Sequence, residues 1–88
     1  MIPSELLADP KHWTKGSYSR DADGNRIRVH SLDAVSFCLV GACCRCDVPI
    51  QKLREVVLAR GFESIVRFND DPSIKHSDVL SVLKEVGL

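Results

Sequence analysis

The chain is 88 residues long, with twelve Lys and Arg balanced by twelve Asp and Glu. So short a chain supports one domain, residues 1–88, around one modest core, and its zero net charge excludes the broad basic field by which nucleic-acid-binding proteins collect phosphates. Met1-Ile2-Pro3-Ser4 is not the basic start of a signal peptide and no apolar run approaches membrane length, so the expected location is cytoplasmic, with no membrane partner and no disulfide framework.

Glu5 to Ala8 fits one helical turn, stopped by Pro10, because the residue before a proline is pushed out of the helical region. Between Trp13 and Val29 the pattern changes. Tyr18, Ile27 and Val29 are spaced for strands around the turn sequence Asp21-Ala22-Asp23-Gly24-Asn25, which predicts a small β-hairpin near the N-terminus. A lone hairpin is barely stable in water, so it must lie on the helices, with Trp13 as its anchor.

Ser31 stands where an N-cap belongs, with Asp33 in the first turn, and from Ala34 to Cys44 only Ser36 and Gly41 interrupt the apolar residues. This reads as a buried central helix. Gly41 inside it costs about 1 kcal/mol relative to alanine, a penalty that fits a site where another backbone packs closely. Asp47 then offers an N-cap for a helix whose stripe is Ile50, Leu53, Val56 and Val57 and whose end is Gly61. Phe62 to Phe68 fits a helical turn and a brief strand equally. Asn69-Asp70-Asp71-Pro72 is a loop by composition, and Ser77 caps a last helix that turns Val79, Leu80, Val82, Leu83 and Val86 inward before Gly87. The predicted fold is mainly α: three to four short helices around a buried central helix, with the hairpin near the N-terminus.

All four cysteines, Cys38, Cys43, Cys44 and Cys46, fall inside nine residues at the end of the segment Ser31 to Cys46. On a helix they point about 140°, 240° and 80° away from Cys38, so they do not converge on one metal ion. Free cysteine is also among the most buried residue types, which makes core packing the leading reading. Cys43 and Cys46 form a C-x-x-C pair at the helix end, but a structural zinc needs two more ligands, which would have to come from His76, His30 or a second chain. No metal and no cofactor are expected. The turn at Asp21 is no calcium loop either, since the twelfth position is Leu32 where glutamate belongs.

Four short segments, in order, carry a resemblance. Trp13-Thr14-Lys15-Gly16, Arg20-Asp21 with Asp23-Gly24, Phe37-Cys38-Leu39-Val40-Gly41-Ala42 and Phe68-Asn69-Asp70 resemble the W-x-x-G, A-R-D-x-x-G, W-C-x-x-G-A and W-N-D motifs of a small bacterial family, domain of unknown function 6197. The resemblance covers about Leu6 to Val86. It departs at Phe37 and Phe68, where the family commonly has tryptophan, and at Cys43, Cys44 and Cys46, which have no counterpart. The resemblance implies a mostly helical domain and no particular activity. It also implies that the chain lacks part of a longer N-terminal helix, or that its start lies upstream.

Two classes of function follow. The first is a small intracellular binding or regulatory module without catalytic chemistry, its surface formed where Trp13, Gly16, Asn69 and Asp70 meet, its partner an unknown protein or a small polar ligand. An Asn-Asp pair beside aromatic side chains suits such recognition, although the same side chains also serve to accept backbone N–H groups. The alternative is a thiol-dependent enzyme centred on Cys38, with His76 and Asp70 as base and orienting acid, or a cysteine-based metal site at Cys43 and Cys46. Against the enzyme stands the predicted position of Cys38 in mid-helix among Leu39, Val40 and Ala42, where desolvation raises a thiol pKa.

Overall fold

The apolar residues come in runs too short for long helices, and the computed structural model, which describes residues 1–88, folds them into five short helices and one two-stranded sheet. α1 (Pro3–Leu6) is followed by a 3-10 turn at Pro10–His12, β1 (Ser19–Arg20), β2 (Ser36–Phe37), α2 (Leu39–Arg45), α3 (Gln51–Ala59), α4 (Ile65–Asp70) and α5 (His76–Glu85). The fold is mainly helical with a small antiparallel sheet near the N-terminus, as predicted. α2 packs on α1 and α4, α3 on α4 and α5, and α1 on α5, which closes the set around one core.

That core takes Phe37, Leu39, Ala42 and Cys43 from β2 and α2, Leu53 and Val57 from α3, Ile65 and Phe68 from α4, and Val79, Val82 and Leu83 from α5. Phe62 meets Phe68 edge to face, ring centroids 4.9 Å apart, which seals the corner between α3 and α4. The segment from Phe62 to Phe68 therefore resolves as a loop and a helix. Ser64 is the reason: its hydroxyl accepts the Arg67 N–H at 3.1 Å and starts α4.

The strongest departure from expectation lies between Ser31 and Cys38. The helix predicted from Ser31 begins only at Leu39, and Ser31 instead closes a turn, its Oγ accepting the Asp33 N–H. Ser36 and Phe37 are extended because they pair with Arg20 and Ser19, and the Val35 and Cys38 N–H groups reach the Arg20 and Tyr18 carbonyls on either side. A short apolar run has no periodicity that separates strand from helix, so the long-range pairing decides. The Asp21 to Asn25 turn does form, with Asp21 Oδ1 accepting the Asp23 and Asn25 N–H groups. Its returning arm meets β1 through an Arg20–Arg26 bridge, the Ile27 N–H bonded to the Ser19 carbonyl and the Ser19 hydroxyl donated to the Ile27 carbonyl, and the ladder partner β2 comes ten residues later.

Helix ends show a second pattern. α2, α3 and α5 all close with a left-handed residue and a pair of reversed bonds. For α3 these are Gly61 N–H to the Leu58 carbonyl and Phe62 N–H to the Val57 carbonyl. For α2 they are Asp47 N–H to Cys44 and Val48 N–H to Cys43, with Asp47 at φ 55°. Asp47 thus ends one helix and does not cap the next, whose N-cap is Ile50. The last helix starts earlier than predicted as well. Lys75 is its N-cap, with the Lys75 N–H donated to Asp78 at 2.8 Å, and Ser77 lies inside.

Candidate functional site

Asn69 and Asp70, predicted as loop, are the last two residues of α4. One helical turn after Ile65, Asn69 falls on the same inward face and is completely buried. An amide there must find partners for two N–H groups and two lone pairs, and it finds all four. Its Oδ1 accepts the Trp13 indole N–H at 2.7 Å and the Leu39 backbone N–H at 3.1 Å, and its Nδ2 donates to the Thr14 carbonyl and to Asp70 Oδ1, each at 3.0 Å. Leu39 is the first residue of α2, so its N–H has no partner within the helix, and Asn69 supplies one across the fold.

Asp70 Oδ1 also accepts the Gly16 N–H at 3.0 Å. The four residues singled out in the sequence, Trp13, Gly16, Asn69 and Asp70, are therefore joined by direct hydrogen bonds. Gly16 sits at φ 78°, a conformation that suits glycine, and this turns its N–H toward α4. Lys15 lies 5.3 Å above the Trp13 ring and donates to the Asp71 and Ile74 carbonyls. Arg20 ties the same loop from within, bonding Thr14 Oγ1, the Lys15 carbonyl and the Gly24 carbonyl.

A cleft of about 260 Å³ opens beside this junction, lined by Gly16, Ser17, Tyr18, Arg26, Cys38, Val66 and Asp70. Trp13 and Asn69 do not line it: their polar atoms face each other, which makes them the support of the cleft and not its surface. In Asp70 only Oδ1 is engaged within the fold, and Oδ2 accepts from no protein donor. Arg26, the exposed aromatic Tyr18 and Val66 were not singled out in the sequence as site residues. Arg26 and Val66 lie outside the segments that carry the resemblance, and nothing in local periodicity separates them from other surface residues.

Cys38 is not in mid-helix. It is the N-cap residue of α2, and its Sγ accepts the Gly41 N–H at 3.3 Å. The thiol is nevertheless held above its ordinary pKa, because burial outweighs the favourable backbone N–H contacts. His76 does not join it. The imidazole Nε2 lies 2.6 Å from the Leu7 carbonyl and its ring packs on Trp13, so Cys38 and Asp70 share the cleft without a histidine. Gly41 explains itself: a Cβ there would sit 1.9 Å from the Tyr18 carbonyl oxygen, the backbone crossing predicted for it.

The chain belongs to the family of unknown function DUF6197, whose model matches residues 4–87. No curated protein and no solved structure matches it. Trp13, Gly16, Cys38, Asn69 and Asp70 all fall within the DUF6197 match, so the junction and the cleft lie inside the family domain. Cys43, of the alternative metal pair, is fully buried with its thiol pushed up to about 11 by desolvation first and by neighbouring thiols second. No group of three or more His, Cys, Asp or Glu side chains is placed to hold a metal ion. No helix is long and apolar enough to cross a membrane.

Proposed function

We propose that this DUF6197 domain is an intracellular binding or regulatory module without catalytic chemistry, which takes a small polar ligand or a short segment of a partner protein in the cleft between residues 16–18 and α4. The observation that carries the reading is the divided carboxylate of Asp70: one oxygen locks the loop to α4, and the other is left for a ligand donor. Arg26 offers donors of its own for a ligand acceptor, and Tyr18 and Val66 offer apolar contact. Trp13 and Asn69 act as positioning residues that keep Gly16 and Asp70 in register. A thiol-dependent reaction at Cys38 is disfavoured by the burial of its sulfur and by the engagement of His76 elsewhere.

The test is a backbone-amide NMR titration with small polar metabolites and with peptides from proteins expressed alongside the domain. Shifts confined to Gly16–Tyr18, Cys38 and Val66–Asp70, and lost in Asp70→Ala, are expected. Shifts centred elsewhere on the surface, or binding that Asp70→Ala leaves intact, reject the cleft.

A further inference from the structure

The four thiols do not share one environment. Cys38 and Cys43 are buried and Cys46 is half-buried, whereas Cys44 is exposed. Cys44 Sγ lies 3.8 Å from His30 Nε2. The contact has a scaffold of its own. Arg45, the next residue on α2, donates from one guanidinium nitrogen to the Val29 carbonyl at 2.6 Å and to the Ser31 carbonyl at 2.8 Å. Those are the two residues flanking His30. The guanidinium itself lies over the Phe37 ring at 5.5 Å, which fixes it against the core. The helix that carries the thiol thus grips the backbone on both sides of the imidazole.

A thiol with an imidazole held against it is the arrangement by which cysteine is made nucleophilic. We infer that Cys44 and His30 form a modification site at which a low-molecular-weight disulfide exchanges onto Cys44. His30, in the tautomer with a free Nε2 lone pair, takes the Cys44 proton, and the thiolate attacks one sulfur of the disulfide. A bond forms between Cys44 Sγ and that sulfur while the bond of the small disulfide breaks. The released thiolate then takes the proton from the imidazolium, so one thiol and one disulfide enter and one of each leaves, with no other oxidant. The adduct has no internal route out. Cys43 is buried and adjacent in sequence, which is poor geometry for a disulfide, and Cys46, two residues on, points to another side of the helix end.

The test uses the whole folded chain with excess oxidised glutathione at neutral pH, stopped with acid and mapped by peptide mass spectrometry. One adduct per chain is expected, on Cys44, formed about tenfold faster than on any other thiol. His30→Gln should keep the circular dichroism of the parent and slow that adduct by about fivefold. Cys44→Ser should leave the chain unmodified over the same period. In concentrated urea the effect of His30→Gln should vanish, because the pair exists only in the folded chain. Equal rates at Cys44 and Cys46, a His30→Gln chain that reacts as fast as the parent, or an effect of that substitution that survives unfolding would each overturn the assignment.

Discussion

At its N-terminal end α2 is met from three sides: Asn69 supplies an acceptor for the Leu39 N–H, the Tyr18 carbonyl crosses against Gly41, and the Cys38 thiol takes the Gly41 N–H from within. At its C-terminal end the same seven-residue helix is nearly open, with Cys44 exposed, Arg45 reaching out to a neighbouring loop, and Asp47 turning the chain away in a left-handed conformation. The difference is one of constraint. A substitution at the first end that removes a hydrogen-bond partner orphans groups from other segments, while a substitution at the second is local. Buried polar groups are costly to orphan and exposed ones are not.

The largest effect is expected at Asn69. Asn69→Ala leaves the Trp13 indole N–H, the Leu39 N–H and the Thr14 carbonyl without partners, and should cost about 3 kcal/mol or more in urea unfolding, together with a shift in Trp13 emission. If the loss is below about 1 kcal/mol, the junction does not hold the N-terminal end of α2. Gly41→Ala comes next. Alanine is the better helix former by about 1 kcal/mol, yet the new methyl group meets backbone that cannot swing aside, so a net loss of about 2 kcal/mol is expected.

The middle of the helix is reached by pH. The folded chain holds the Cys43 proton up to about 11, whereas an unfolded thiol releases it near 9.0. The unfolded state therefore binds fewer protons in that window, and stability should fall as pH rises from about 9 to about 11. Cys43→Ala, followed by thermal melts across the same range, should flatten the decline. A slope unchanged by that substitution would place the alkaline sensitivity elsewhere.

At the open end Asp47→Gly should stabilise by about 0.5 to 1 kcal/mol, because glycine enters the left-handed region without the strain that Asp47 carries at φ 55°. The smallest effect is expected back at the N-terminal end, where Cys38→Ser should change stability by less than about 1 kcal/mol. Serine is a better N-cap than cysteine, and its oxygen meets the Gly41 N–H already in place. A Cys38 in mid-helix would have made the same change costly, through an orphaned hydroxyl. Asn69→Ala set against Asp47→Gly measures whether the ends of α2 differ as their contacts say, and Cys38→Ser tests where the helix begins.

Much of this was legible in the chain. The stripes Leu53–Val57 and Val79–Val82–Leu83 have helical spacing and become the inward faces of α3 and α5, and Gly61 and Gly87 mark their ends because the left-handed closing residue has a residue preference of its own. Gly41 announced a backbone crossing for the same kind of reason, since a helix keeps a costly glycine where no side chain fits. The meeting of Trp13, Gly16, Asn69 and Asp70 was expected from a hairpin too small to stand alone, and hydrogen bonds now join the four.

What the tertiary structure alone decided is every choice in which local preference was balanced. Ser31 to Phe37 is apolar enough for a helix and becomes turn and strand because Ser19 and Arg20 lie alongside. That single decision moves Cys38 from the middle of a helix to its cap. Asn69 looked like a loop residue because asparagine favours turns, but the completion of four hydrogen bonds to residues 13, 14, 39 and 70 outweighs that preference and holds it inside α4. Local sequence determines which segments are able to form helices and where they end. Only contacts between distant groups, backbone and side chain, whose partners no local pattern names, determined where α2 begins, which side of Asn69 faces inward, and which of the four thiols stands open beside a histidine.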